Sequence, residues 1–432
     1  MKIGFVRDFK QSETIRLGKN SLWLLAARVG AQALALFTLL LARKLGSAGF
    51  GEYAFFTTAI FVVNTLTTCG TDMFFIREIA GRDDLARLPA ALWIQLALSL
   101  PAILCIVLFA PLLPHQRPDA LLALQIYSLS LIPMAFYSVF TIALRGKQRM
   151  DSYALLNFAG ALLQAALMLV FIARADGLVT LALLLLAAQV SAALLAGVCC
   201  LWQIDGFARG WRFSWPDVRA VFAASAALGL LGLLGMLYQK AGVLLLSLVG
   251  GPALTGLYSS ALRVVEASKL AHFSVLTALY PLMTQAQTQP SKSVAGTLQL
   301  SWKLLLAGAF ALALGLSLLA APVVNLLYGA EFAPAVPVLR ILAWTLIPYT
   351  VNSFLTLAFV AGHRTRPVGW ALTVSLLGLG LFSLWWIPGY GLTGAAWAVF
   401  GAEWLQAILL VLQMPRVKKI FRGKSHELSK LS

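Results

Sequence analysis

The sequence predicts an all-α membrane protein of 12 transmembrane helices in two six-helix lobes, related by a pseudo-two-fold axis along the membrane normal. Three features predict it: apolar residues gathered in membrane-length blocks, basic residues gathered between alternate blocks, and motifs that recur in order in the two halves. Of the 432 residues, 60% are apolar and 11% charged. A soluble domain runs at about 45–50% apolar and about 25% charged, so this composition excludes an ordinary globule, a disordered chain and a nucleic-acid binder. The net charge of +17 therefore reads as topology information rather than as a nucleic-acid footprint.

Taken in order, the apolar blocks cover residues 20–42, 53–75, 88–110, 120–143, 152–173, 178–202, 219–249, 254–283, 298–327, 335–361, 367–386 and 391–413. Each suffices for a hydrocarbon core of about 30 Å, which takes about 20 helical residues. The first block, Ser21 to Leu41, is too long for a signal-peptide core and no small-residue cleavage site follows it. The organisation is then a cytoplasmic segment (1–19), an N-lobe (20–203), a cytoplasmic linker (204–218), a C-lobe (219–413) and a basic cytoplasmic tail (414–432). Cys69, Cys105, Cys199 and Cys200 all sit in apolar runs without C-x-x-C spacing and read as small core residues.

With the N-terminus inside, the inside segments carry 23 Lys/Arg and the outside segments four: Arg43, Lys44, Arg117 and Arg174. This asymmetry follows the positive-inside rule and puts both tails in the cytoplasm. The longest outside loop, Pro111 to Asp119, has nine residues, too few for the ordered external domain of a sugar-polymerising enzyme.

The halves echo each other. Leu45-Gly46-Ser47-Ala48-Gly49-Phe50-Gly51-Glu52-Tyr53 and Val249-Gly250-Gly251-Pro252-Ala253-Leu254-Thr255-Gly256-Leu257-Tyr258 share an aliphatic-Gly start and a Gly-x-Tyr end, with the tyrosines offset by 205. Gly146 in the turn Leu144 to Arg149 aligns with Gly362 at an offset of 216, and Asp176-Gly177-Leu178 with Tyr390-Gly391-Leu392 at 214. Repeats of six spans share one orientation, and transporters built so place their site at the repeat interface.

These segments resemble the polysaccharide-export flippase family. The matching residues are Leu41 to Tyr53, Arg77-Glu78-Ile79-Ala80, Lys240 to Leu248, Gly251-Pro252, Gly256 to Glu266, Tyr280-Pro281, Leu327 to Phe332 and Tyr390 to Ala396. The family shares a superfamily with multidrug exporters and lipid II flippases. The resemblance implies two lobes around a central cleft. It also implies an undecaprenyl-pyrophosphate-linked oligosaccharide as substrate, moved from the inner to the outer leaflet for O-antigen-type polysaccharide biosynthesis. Membrane lipids, glycosyltransferases and a polysaccharide polymerase would be its partners. Members often carry an Asp where this chain has Gly242, so no coupling role transfers to that position.

Ionisable side chains inside a membrane cost several kcal/mol unless paired or wet, and so mark candidate sites. Arg28, Lys240 and Arg263 fall near mid-depth and are the candidate headgroup site, since pyrophosphate is multiply anionic and Arg binds phosphate oxygens in pairs. Arg263 has a second reading, an i,i+3 pair with Glu266. Glu266 and Glu403 are candidates for coupling to H+ or Na+, because a carboxylate's protonation follows its surroundings; a hydrogen-bonded contact between lobes is the alternative for Glu403. Lys269, Lys303 and Arg340 are expected to snorkel. Polar stripes add Gln32, Asn64, Thr68, Tyr349 and Asn352 as cleft-lining residues, all at helical spacing.

No metal and no cofactor are expected. Gly423-Lys424-Ser425 ends like a phosphate loop, but Lys418 stands where its first Gly is required. The expected function is a lipid-linked oligosaccharide flippase working by alternating access. The alternatives are a multidrug or organic-cation antiporter, which would want carboxylates in its first span, and a lipid II flippase.

Overall fold

The computed structural model describes residues 37–82, 85–174, 177–204, 207, 211, 213–288, 292–362 and 364–413. Arg28 and Gln32, the two tails and part of the linker lie outside these residues. The described chain is helical without a strand: α1 (Phe37–Thr68), α2 (Thr71–Arg82), α3 (Leu88–Phe109), α4 (Pro118–Ser128), α5 (Leu131–Gly146), α6 (Met150–Arg174), α7 (Leu178–Gln203), α8 (Trp215–Thr288), α9 (Lys292–Leu318), α10 (Ala320–Leu327), α11 (Val336–Ala343), α12 (Leu346–Ala361) and α13 (Arg366–Leu412). Short 3-10 turns occupy Ala110–Leu112 and Ala330–Ala335.

Among the described residues seven helical stretches are long and apolar enough to cross a membrane, or nine if each bent pair is one span. The count is lower than the number of apolar blocks partly because some blocks join into one helix across a glycine. At 1.5 Å per residue a straight helix the length of α8 would run about 110 Å. Non-helical backbone interrupts it at Gly251 (φ 78°, ψ −179°). Gly46 interrupts α1 in the same conformation (φ 68°, ψ −178°), and Gly391 (φ 52°) interrupts α13. Left-handed φ falls to glycine because a Cβ there clashes with the following carbonyl.

The chain forms two compact units, one of residues 37–44 and 56–233, the other of residues 45–55 and 234–413. In the first, Phe75, Ile79, Leu88, Ile94, Val139, Ile142, Leu144, Cys200 and Val221 form a buried core. α1 and α2 meet at a 49° bend, made by Cys69 (φ 48°) and Gly70 (φ 69°). Gly70 lies so near α8 that a Cβ on it would be 2.8 Å from the Ser225 carbonyl oxygen. The Arg87 guanidinium ties three helix ends together, to Glu78 at 3.1 Å and Asp217 at 3.2 Å. Beside the bend the Gln95 amide donates to Thr71 Oγ1 (2.8 Å), which donates to the Thr68 carbonyl (2.7 Å). Cys200 is buried as expected, but Cys105 is exposed on α3: the apolar run that holds it is wider than the face α3 buries.

In the second unit the segment 45–55 packs on α8 through a mutual glycine contact. A Cβ on Gly51 would meet the Pro252 carbonyl oxygen and lie 2.7 Å from Gly256 N; one on Gly256 would meet the Ser47 carbonyl oxygen and lie 2.9 Å from Gly51 N. Gly46 and Gly251, Ser47 and Pro252, Gly51 and Gly256 are all separated by 205 residues, the offset of the sequence echo, so the contact maps onto itself when its members are exchanged. The copies differ in how each helix start is satisfied. Ser47 N–H donates to Glu331 Oε1 at 2.6 Å, filling one of the donors a helix start leaves open. Its counterpart Pro252 has no N–H and suits a first helical position without a partner.

The turn echo also survives, one residue out of the register read from the glycines. Lys147 N–H bonds the Ala143 carbonyl and Arg149 N–H that of Leu144; Gly362 N–H bonds Ala358 and Arg364 N–H bonds Phe359. Those pairs are 215 residues apart, not 216. The carbonyls closing the helix set the register, and each glycine occupies a different place relative to them.

A Cβ at Gly51 or Gly256 must displace backbone, and overpacking of this kind costs about 1–3 kcal/mol. Gly51→Ala and Gly256→Ala are each expected to lower the unfolding temperature in detergent. Gly308→Ala, which meets nothing within 4 Å, should leave it unchanged or raise it. Glu331→Ala should cost about 1 kcal/mol, the usual loss of a helix-start acceptor, and a Ser47→Pro background should abolish that cost in the same melt.

Candidate functional site

The membrane-depth charges of the second unit lie on α8, on both sides of its glycine break, and on α13. Lys240 Nζ meets Glu266 Oε1 at 2.7 Å, with side-chain exposures of 21% and 36%. This links the two sides of the Gly251 break, 26 residues apart in sequence. Pairing matters here, because a charge left unpaired inside a membrane costs several kcal/mol.

Glu403 is treated differently. It is buried, at 7% exposure. Asn352 Nδ2 donates to Glu403 Oε2 at 2.8 Å and to the Glu403 backbone carbonyl at 3.0 Å. Both residues belong to one compact unit, so this donor to Glu403 comes from the preceding helix of the same half. Asn352 Oδ1 is left buried without a hydrogen-bond partner, as are the Tyr238 hydroxyl and Ser375 Oγ.

Arg263 is set over two aromatic faces, with its guanidinium carbon 5.2 Å from the Phe50 ring and 5.8 Å from the Tyr53 ring. Phe50 is positioned in turn by Tyr328 (6.3 Å) and Phe332 (6.2 Å). The motif Tyr328 to Phe332 and the Gly-x-Tyr segment thus meet at one place, and aromatic faces hold the guanidinium by cation–π attraction. Lys269 Nζ lies 4.2 Å from the Tyr349 ring centre, where snorkelling was expected, and its charge acts on both Glu403 and His272. The His272 ring is 5.7 Å from that of Tyr349.

Gly242 has a packing reason. A Cβ there would be 2.6 Å from the Tyr258 hydroxyl and 3.3 Å from Val399. The fully buried Tyr258 ring therefore occupies the space a side chain at this position would need.

The structure brings Lys240 to Glu266, Asn352 to Glu403, and Tyr349 to Lys269. Asn64 and Thr68 lie on α1 in the other unit. Thr68 Oγ1 donates to the Thr65 carbonyl of its own helix (2.9 Å), and Thr67 Oγ1 to that of Asn64 (3.1 Å), so these hydroxyls satisfy themselves locally. Sequence reasoning overlooked Glu331. Its signal was there, an acid four residues after a buried aliphatic-aromatic pair in the Leu327 to Phe332 motif, but the partner lies 284 residues away.

The fold is shared with known transporters. A multidrug resistance MATE family transporter of the MOP superfamily, in an inward-facing conformation, is 16% identical with a TM-score of 0.73, over 94% of this chain and 96% of that one. Lipid II flippase MurJ in an inward closed conformation is 13% identical with a TM-score of 0.70, over 92% and 89%. A MOP superfamily transporter from Pyrococcus furiosus, described as having a binding pocket of reverse polarity that suggests a different function, is 16% identical with a TM-score of 0.67, over 94% and 96%. No curated protein matches the chain. The family described as polysaccharide biosynthesis protein matches residues 17–287. With more than half its length matched by that family, the chain belongs to the polysaccharide biosynthesis protein family.

Proposed function

We propose that this protein flips an undecaprenyl-pyrophosphate-linked oligosaccharide from the inner to the outer leaflet of a bacterial cytoplasmic membrane. Residues 20–203 and 219–413 act as two six-helix lobes that rock about a cationic cleft, with both termini in the cytoplasm. The sugar and diphosphate pass through the cleft while the lipid chain stays in hydrocarbon. The observation that carries this reading is the sign of the charge at membrane depth. In the second unit Lys240, Arg263 and Lys269 stand against Glu266 and Glu403, and both carboxylates already accept hydrogen bonds. Arg28 of the first span adds a further cation. Such an excess lowers the cost of carrying an anionic diphosphate through a low-dielectric passage and repels organic cations.

Within this reading Arg263 and Lys240 contact the diphosphate together with Arg28, and Glu403 with Asn352 couples the cycle to H+ or Na+. The geometry allows headgroup binding and folding to be separated. Lys240→Gln strands the Glu266 carboxylate, whereas Lys240→Gln with Glu266→Gln strands nothing. The single variant is expected to lower the melting temperature and the double variant to recover it. Oligosaccharide export should stay reduced in both, by about ten- to a hundredfold, since a hydrogen bond to a charged group is worth about 1.5–3 kcal/mol. Export restored in the double variant would make Lys240 a purely structural residue. Arg28→Gln and Arg263→Gln should lower export likewise without changing the amount of inserted protein, and normal export in both would remove the headgroup site.

Glu403→Gln keeps an oxygen acceptor for Asn352 and so should fold normally. Transport in proteoliposomes should become insensitive to an imposed H+ or Na+ gradient. Retained gradient dependence would exclude Glu403 from coupling.

A further inference from the structure

Away from the paired charges, α8, α9 and α12 enclose a groove of about 640 Å³ in the second unit. Its walls are mostly aliphatic, including Leu304, Leu305, Leu312 and Leu346, and its depth comes from the small residues Gly308, Ala309 and Ala311. It opens sideways: Val275 is 44% exposed and Leu304 63%. Only 17% of the α9 span is buried, so this opening lies on a surface of exposed leucines whose natural solvent is hydrocarbon. An apolar space of this kind does not hold water, which needs two to four polar partners.

One side of the groove is polar. Ser268, His272, Tyr349 and Thr350 line it. His272 Nε2 is buried without a hydrogen-bond partner, and the Lys269 ammonium lies on the Tyr349 ring, 4.2 Å from its centre. A cation and an unsatisfied imidazole nitrogen beside an apolar trough describe an amphiphile with an anionic head. Lys269 is the last residue of the apolar stretch of α8, and His272 lies three residues beyond it.

We propose that this groove binds the apolar chain of the transported polyprenyl diphosphate lipid where it enters, with its diphosphate turned toward Lys269 and His272 before it reaches Lys240 and Arg263. The proposal rests on the flippase reading for the identity of the lipid. The chain enters between α8 and α9 from the bilayer, and the head faces α12, on which Asn352 lies one turn beyond Tyr349. The groove thereby takes the part of the substrate that a charged cleft cannot.

The test uses the full chain in phosphatidylcholine nanodiscs and a polyprenyl diphosphate carrying a diazirine in its chain. Photolabelling mapped by peptide mass spectrometry is expected to concentrate on Val275, Leu304 and Leu312. Gly308→Leu projects a side chain into the groove from a position where a Cβ meets nothing within 4 Å, so the fold is kept, and labelling should fall at least tenfold. Lys269→Gln should weaken labelling by the diphosphate probe about tenfold while leaving labelling by the uncharged polyprenol unchanged. Labelling spread evenly over the exposed leucines of α9 and unaffected by Gly308→Leu would overturn the groove. Equal labelling by diphosphate and alcohol in both backgrounds would overturn the role of the head. Oligosaccharide export measured on the same preparations separates the two proposals: groove labelling in a protein that exports nothing refutes the flippase reading alone, and export without groove labelling refutes this inference alone.

Discussion

Two glycines pressed against each other's backbone decide where the helices of the second unit begin. Gly51 and Gly256 approach so closely that neither tolerates a Cβ, and five residues before each a glycine with left-handed φ breaks the helix. The break frees the chain to turn, and the contact holds the turn in place. From there the placement propagates by one-turn steps. Phe50 and Tyr53, adjacent to Gly51, carry the ring faces on which Arg263 rests. Tyr258, adjacent to Gly256, fills the space above Gly242. Without the glycine contact the aromatic faces have no fixed position and the guanidinium no seat. Small residues at a helix crossing serve this purpose in membranes, where hydrocarbon gives no reward for burying one apolar face against another and van der Waals packing must supply the attraction.

The same unit keeps two carboxylates inside the membrane by two different means, and the difference follows from exposure. Glu266 is about one-third exposed and meets a full charge on Lys240. Glu403 is buried and meets a neutral amide. A buried ion pair must repay the desolvation of two charges; an amide donor has only its own modest desolvation to recover. The arrangement therefore separates a charge pair that holds two helical segments together from a buried carboxylate held by a neutral donor.

Much of this was legible in the sequence, because the physics that made it so is local. Membrane-length apolar blocks follow from the thickness of hydrocarbon, and helices follow from the need to satisfy every backbone group there. The glycine echo at an offset of 205 pointed to equivalent positions, and Gly46 and Gly251 share one backbone conformation. What stayed hidden was set by contacts between distant segments. Glu331 accepts from Ser47 because a serine, not a proline, follows Gly46, and nothing near Glu331 in the sequence says so. Lys269 was read from its distance to a span end, but a facing ring gives an ammonium a closer resting place than the membrane surface. The turn register of 215 rather than 216 was missed because glycine was taken as the marker, whereas the closing carbonyls define the turn. Span ends blurred because a glycine break joins two spans without a loop.

Tyr349 lies where the two kinds of environment meet. One turn along α12, Asn352 binds Glu403; across the ring, His272 opens onto an apolar groove; and Lys269 sits on the ring's face. The charge of Lys269 acts on Glu403 and on His272 alike. A cation shared in this way cannot serve the two independently. When a proton or metal ion neutralises Glu403, the field around Lys269 becomes more positive and an anion beside His272 is held more tightly. By linkage the converse holds with equal free energy: an anion beside His272 draws on the same positive charge and favours neutralisation of Glu403. If Glu403 takes up an ion and the groove a lipid, as proposed, the two events are coupled through one side chain, with no need for a chain of intermediates between them.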